Sequence, residues 1–189
     1  MKQESRKDEI IRVAANLFKE KGYSAVTMRD IAKTMGIKAA SLYNHINSKQ
    51  EILSNIIITL AETFTGGILQ IKASDIDAVE KLKRIIALHV QITTDNQSGM
   101  ASLNNDWMHL EGKLEYYLKM RLEYEDIFRE IIEEGIIHGR IRNINSDVIL
   151  FSILSTLRSL YIWIPKKEDL NAKLLAKDLA GVLLTGITK

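Results

Sequence analysis

Residues 38–45, KAASLYNH, gather polar side chains on a segment that is otherwise small. Ala39 and Ala40 let the backbone approach another surface closely, and their methyls suit an apolar spot such as a thymine methyl. Ser41 and Asn44 offer donors and acceptors that match base edges, while Lys38, Tyr43, His45 and the nearby Lys49 suit phosphate oxygens. The same pattern fits an ordinary helical hairpin with its polar face turned to water, and spacing alone leaves both readings open. Other chemistry is poorly supplied. Cysteine is absent, which removes disulfides, thiolate catalysis and cysteine-based zinc sites. His45, His89, His109 and His138 share no HxxxH or HxxE spacing that would bring metal ligands to one helix face. Glu133 and Glu134 are adjacent, so on a helix they point in different directions. No glycine-rich phosphate loop or nucleophile elbow is present. Neither a catalytic residue nor a metal or cofactor site is predicted.

A second group of residues suits an apolar cavity rather than a reaction. Trp107, Met108, Tyr117, Met120, Tyr124, Phe128, Tyr161 and Trp163 supply aromatic and sulfur surface. Each also reads as plain core. Arg158, among them in sequence, suits an acidic or phosphate group, or a carboxylate partner within the protein.

The elements that would position the polar segment follow from caps and periodicity. Thr27 and Asp30 form a capping-box pattern, Ile31 and Met35 give the next helix an apolar face, and Gly36 stands where that helix stops. Residues 39–46 fit a second helix with Leu42 and Ile46 inward, and Ser48 with Glu51 starts a third. Two short helices joined by about three residues, glycine in the turn, fit a helix-turn-helix. Ahead of them, Ser5 caps a helix to about Lys21 whose stripe is Ile10, Val13, Ala14, Leu17 and Phe18. Gly22 stops it, and Tyr23 and Val26 pack beneath the hairpin to close a three-helix head. Lys2, Arg6 and Lys7 are basic residues within reach of a phosphate backbone, though a solvated tail is the simpler reading of them.

The remainder reads as helix after helix: 49–72 with Gly66-Gly67 inside it, 75–95, a short stretch ending at Gly112, 113–138, 146–163 and 168–187. A break is expected at 95–99, a loop marked by Gly135, Gly139 and the run to Asn145, and a turn at Pro165. The apolar run VILFSILSTLRSLYIWI is just long enough for a membrane span, but Arg158 near its middle argues against one.

Composition agrees with an all-α, globular chain: 189 residues, 46% hydrophobic, 26% charged and one proline. The formal net charge of +2 is unevenly spread. Residues 1–60 carry ten Lys and Arg against six Asp and Glu, and the remainder sixteen against eighteen. A basic head on a faintly acidic body is the layout of a chain that meets nucleic acid. No secretion signal is read at the N-terminus.

The first quarter of the chain resembles the TetR/AcrR family of bacterial transcriptional regulators. Ala14, Leu17, Phe18, Gly22, Tyr23, Thr27, Met28, Ile31, Ala32, Gly36, Ser41, Leu42, Tyr43, His45, Lys49 and Leu53 carry the resemblance. Two positions depart from it: Lys38 replaces a small hydroxyl residue that caps the recognition helix, and Ile46 replaces a frequent phenylalanine. The resemblance implies a helix-turn-helix DNA-binding domain over 1–48 and a ligand-binding and dimerisation domain over 49–189. It implies a cytoplasmic, one-component repressor that binds a near-palindromic double-stranded operator as a homodimer through its last two helices. Arg29, Ala39, Ala40, Ser41 and Asn44 would meet bases; Thr27, Lys38, Tyr43, His45 and Lys49 would hold phosphates. The second half, from Leu114 through REIIEEGIIHGRIR to WIP, is more loosely similar to the subset that senses acyl-CoA thioesters. That similarity implies release by an acyl-CoA or other apolar effector, with no cofactor and no membrane. A helical protein–protein adaptor without DNA binding, or an enzyme on a helical bundle, are the alternatives.

Overall fold

The computed structural model describes residues 4–188; Lys2, considered above for phosphate contact, lies outside them. Among the described residues there are nine α-helices and no strand: α1 Arg6–Lys21, α2 Met28–Thr34, α3 Ala39–Tyr43, α4 Lys49–Lys72, α5 Ala78–Asp95, α6 Gln97–Asn105, α7 Leu114–Ile137, α8 Ser146–Trp163 and α9 Ala172–Thr185. The chain forms two compact units, Met1–Ala61 with Ser98–Tyr117, and Glu62–Gln97 with Leu118–Lys189.

In the first unit the caps form where the sequence puts them. The Ser5 hydroxyl accepts from the Asp8 backbone N–H while the Asp8 carboxylate reaches back to Ser5, and Thr27 with Asp30 repeats the arrangement at α2. Each box satisfies backbone N–H groups that a helix start otherwise leaves without partners. Gly22 and Gly36 end α1 and α2 at φ +82° and +67°, a region that costs glycine least. Ile10, Ala14, Leu17 and Phe18 of α1 are buried, as are Ile31 of α2, Leu42 of α3, and Ile52, Leu53 and Ile57 of α4. Tyr23 and Val26 are also buried, with Tyr23 edge-on to Phe18 at 5.1 Å. The helix expected over 39–46 is shorter: α3 stops at Tyr43, and Ile46 is buried from the turn that follows.

The segment 98–117 belongs to this unit, which periodicity did not indicate. The expected break shrinks to Asn96, and α6 is followed by 3-10 turns at Trp107–His109 and Glu111–Lys113. Gly99 faces Leu60 closely, since a Cβ there would lie 3.0 Å from its Cδ1. Ser98 donates to Asn16 at 2.7 Å. The His109 ring stacks on Tyr23 at 5.3 Å, and Gln50 accepts from the Tyr23 hydroxyl at 2.7 Å and donates to the His109 carbonyl.

The second unit is built from the end of α4 with α5, α7, α8 and α9, and α5 packs against both α8 and α9. Phe128 is fully buried, with Ile68, Leu82, Ile85, Ile86, Ile132 and Leu157 around the same core. Gly66-Gly67 does not break α4: a Cβ on Gly67 would fall 2.6 Å from Leu88 of α5, so the glycine admits a neighbouring helix. Gly135 lies inside α7 rather than starting a loop, and a Cβ there would meet Ile141 at 2.5 Å and Ala78 at 3.0 Å. The final helix starts later than expected, at Ala172. Pro165 sits in a 3-10 turn, Asp169 takes φ +52°, and the Asn171 side chain then caps α9. Residues Lys49–Lys72 and Ser146–Lys166 are long and apolar enough to cross a membrane by length and composition alone. Arg158 in the second of these is ion-paired to Glu125 of α7 at 2.5 Å.

Candidate nucleic-acid interface and effector site

The α2–turn–α3 hairpin leaves one side of α3 free of the core. Ala40, Ser41, Tyr43, Asn44 and His45 are exposed, Tyr43 by 51% of its surface, and Ala39 is half-buried. Leu42, between them, is fully buried and fixes which side faces out. Lys38 occupies the N-cap of α3, is exposed and makes no side-chain cap. Its charge stands at the positive end of the α3 dipole, an arrangement costing about 0.3–1 kcal/mol until an anion approaches. Arg29 is exposed on α2.

Two of the expected phosphate ligands are already occupied. Both Thr27 donors serve Asp30, the backbone N–H at 2.8 Å and the hydroxyl at 2.5 Å. Those bonds, the hydroxyl's first, hold the Asp30 carboxyl below the usual carboxylate range. The Lys49 ammonium donates to the carbonyls of Tyr23 and Val26, each at 2.9 Å, and lies 4.2 Å over the Tyr23 ring. Lys49 therefore ties the α1–α2 loop to the start of α4 and keeps one N–H for any further acceptor. Ser48 accepts from the Glu51 N–H as expected, but the Glu51 carboxylate turns to the Asn47 backbone and to Lys7.

The apolar-cavity candidates divide between the units. Trp107, Met108 and Tyr117 are in the first, where Trp107 and Tyr117 pack at 6.0 Å and Met108 is 61% exposed. Met120, Tyr124, Phe128, Arg158, Tyr161 and Trp163 are in the second. There Met120, Tyr124 and Phe128 are buried, Arg158 and Tyr161 half-buried, and Trp163 exposed under Lys167. Burial works to raise the Glu125 carboxyl, but the bonds and charges of Arg158 and Arg121 outweigh it and hold the group low.

Two polar residues of this core were not read as site residues from sequence. His89 and Thr93 of α5 are buried, and the His89 Nε2 lies 2.7 Å from the Tyr124 hydroxyl. Phe64 and Tyr124 pack on the imidazole at 4.6 and 5.8 Å. Burial first, then the Arg158 charge, push His89 down to about 3, so it is neutral at physiological pH. Burial drives the Tyr124 hydroxyl far above its ordinary value, which keeps it protonated. On an apolar stripe a single histidine looks like any core residue, and no spacing signal marks it. Among the described residues no three His, Asp or Glu side chains gather to hold a metal ion.

Residues 75–187 match the family of tetracyclin repressor-like C-terminal domains, and residues 10–56 match the tetR family of bacterial regulatory proteins. The HTH-type transcriptional repressor KstR2 of Rhodococcus jostii (strain RHA1) is 25% identical over 185 residues, 96% of this chain and 91% of the relative. The solved structure of the ketosteroid transcriptional regulator KstR2 of Mycobacterium tuberculosis has the same fold. Its TM-score is 0.92 at 23% identity, over 98% of this chain and 96% of that one. AibR, solved in complex with isovaleryl coenzyme A and operator DNA, matches with a TM-score of 0.79 at 23% identity, over 94% and 97% of the two chains.

Proposed function

The chain belongs to the tetR family of bacterial regulatory proteins, and from that membership we propose that it is a one-component repressor, binding operator DNA as a dimer and released by a small effector. The observation that carries this reading is the α2–α3 hairpin, which buries Leu42 and leaves Ala40, Ser41, Tyr43, Asn44 and His45 outward on a head with excess positive charge. Such a chain is a transcriptional regulator and not an enzyme. Its place of work is the cytoplasm, where the chromosome is.

In this reading α3 enters the major groove. Ala39, Ala40, Ser41 and Asn44 read base edges, and Arg29 reaches a base from α2. Lys38, Tyr43 and His45 hold phosphates, with Lys38 offsetting its unfavourable place at the α3 N-terminus by doing so. Thr27 and Lys49 contribute chiefly by fixing α2 and the α1–α2 loop, with the last Lys49 N–H directed to phosphate. The functional division is 1–48 for DNA and 49–189 for effector and dimerisation. Two-fold symmetry sets half-sites about 34–36 Å apart or a multiple of that, hence a near-palindromic operator.

The effector is an elongated, largely apolar molecule, an acyl-CoA being one such class, held among Met120, Tyr124, Phe128, Arg158 and Tyr161. The KstR2 relatives are named as repressors and AibR is known with an acyl-CoA and DNA, which supports both halves of the reading. The effector acts by preferring a body conformation whose α4 withdraws the heads from groove spacing, and it shifts that equilibrium only as far as its affinities for the two states differ.

The test is a gel shift on DNA flanking the protein's own gene, run at several salt concentrations beside Tyr43→Ala, with random-sequence selection if the flanking DNA fails. Tight, salt-steep binding that weakens on every sequence in Tyr43→Ala is expected. A folded dimer that selects no sequence would end the DNA-reading claim and leave the adaptor reading in front.

A further inference from the structure

The imidazole of His89 uses one nitrogen on Tyr124; its Nδ1 meets no protein partner, and neither does the Thr93 hydroxyl. Both atoms are out of contact with solvent, in residues 4% and 0% exposed. The two residues are four apart on α5, so they share a face with about 6 Å of helix rise between them. Buried polar atoms are nearly always hydrogen-bonded, and two without partners about one helical turn apart on one face of α5 are a departure from that rule. We propose that His89 Nδ1 and Thr93 Oγ1 form a recognition pair for one uncharged oxygen, a hydroxyl or a carbonyl, on an apolar effector. This rests on the effector-responsive reading above and adds to it the chemistry of what is read.

The charge state of the surroundings selects the class of ligand. Neutral imidazole and a hydroxyl supply uncharged hydrogen bonds only, and a carboxylate brought to them would lose its hydration without a counter-ion. Arg158, whose charge acts on His89, already has its Nη2 at 2.5 Å from Glu125. The imidazole has two neutral forms. When the Tyr124 hydroxyl donates to Nε2, Nδ1 carries the proton and donates to the ligand oxygen; when Nε2 donates to Tyr124, Nδ1 accepts from a ligand hydroxyl. Thr93 donates or accepts to match. The Phe64 ring, 4.6 Å from the imidazole, holds its plane while the bond to Tyr124 fixes its rotation. The imidazole is thus held in place before a ligand arrives.

The experiment uses full-length protein labelled with 15N-histidine, titrated with 2-nonanol and 2-nonanone, with 1-nonene and nonanoate as controls. Both oxygenated probes should move the His89 Nδ1 resonance, and Thr93→Val should weaken them about tenfold, the loss of one good hydrogen bond. The 1-nonene affinity should be the same in both proteins, and nonanoate should leave Nδ1 unmoved. Thr93→Val keeps the side-chain shape and removes a desolvated hydroxyl, so its unfolding midpoint should be equal or higher. A lower midpoint would mean the hydroxyl serves the fold, through a bound water, and would overturn the proposal. So would unchanged affinities in Thr93→Val, or a ring that responds to no oxygenated probe. Operator binding measured on the same samples separates the two levels. If it persists while the probes fail, only the recognition pair is lost; if it is absent, the regulator reading falls whatever the ring does.

Discussion

A single buried imidazole can dominate how this protein responds to mild acid. His89 stays neutral in the folded chain down to about pH 3, because burial and then the Arg158 charge oppose its proton. In the unfolded chain it takes that proton below about pH 6.5. The unfolded state therefore binds more protons in this window, and stability falls as pH falls, by up to ~1.4 kcal/mol per pH unit. Urea unfolding at pH 7 and pH 5 should differ by about 2 kcal/mol from this group, and His89→Phe should flatten that difference. A parent protein equally stable at both values would show that the folded state accepts the proton. Lys49 makes the opposite kind of case, a residue whose position suggests phosphate and whose bonds are turned inward. Lys49→Ala removes two bonds to the Tyr23 and Val26 carbonyls, for which about 1–3 kcal/mol of stability is the expected cost. Its salt slope on operator DNA should fall by about one if the third N–H meets phosphate. A lost midpoint with an unaltered slope would assign Lys49 to the scaffold alone.

At the scale of the helices, glycines that look alike in sequence do opposite things. Nothing lies within 4 Å of a Cβ built on Gly66, whereas one on Gly135 would press on Ile141, which is wholly buried, and on the fixed Cβ of Ala78. Gly66→Ala should stabilise the chain by about 0.5–1 kcal/mol through helix propensity. Gly135→Ala gains the same propensity and then loses about 1–3 kcal/mol to overpacking, so its melting temperature should drop. Equal shifts in thermal melts of the two variants would contradict the packing drawn here. The distinction marks the limit of what sequence carries. The starts of α1 and α2 were legible from side chains that cap them, and the limits of α4, α7 and α8 from caps and apolar stripes, whereas α5, expected from 75, starts at Ala78 behind the Asp77 cap. The exposed residues of α3 were legible too, because Leu42 and Gly36 leave the hairpin one way to turn. What escaped depends on partners remote in sequence. Residues 98–110 join the head through Asn16, Tyr23 and Gln50, and a local stripe cannot report those contacts. His89 and Thr93 were hidden for the same reason, since their significance lies in what does not face them.

At the scale of the whole molecule, the reading proposed above needs two heads on one operator, and α8 and α9 carry the apolar surface on which it would join two chains. Phe151 is 73% exposed on α8 and Val182 77% exposed on α9, and Val148, Ile162 and Leu174 add apolar surface to the same two helices. One exposed apolar residue is ordinary; several on consecutive helices mark an interaction surface. In our reading a second copy covers it, which places two recognition helices on one DNA. Joining two half-site contacts makes the second effectively intramolecular and raises affinity by about 10²–10⁴-fold over one head alone. The double variant Phe151→Asp with Val182→Asp changes only exposed positions, so each chain should fold as before by circular dichroism. Light scattering should then report monomer at micromolar concentration, and operator affinity should fall by about that same factor. Non-specific binding should fall far less, because each head keeps its own basic surface. If the variant stays dimeric and holds its operator, another surface joins the chains, and the apolar faces of α8 and α9 await a different partner.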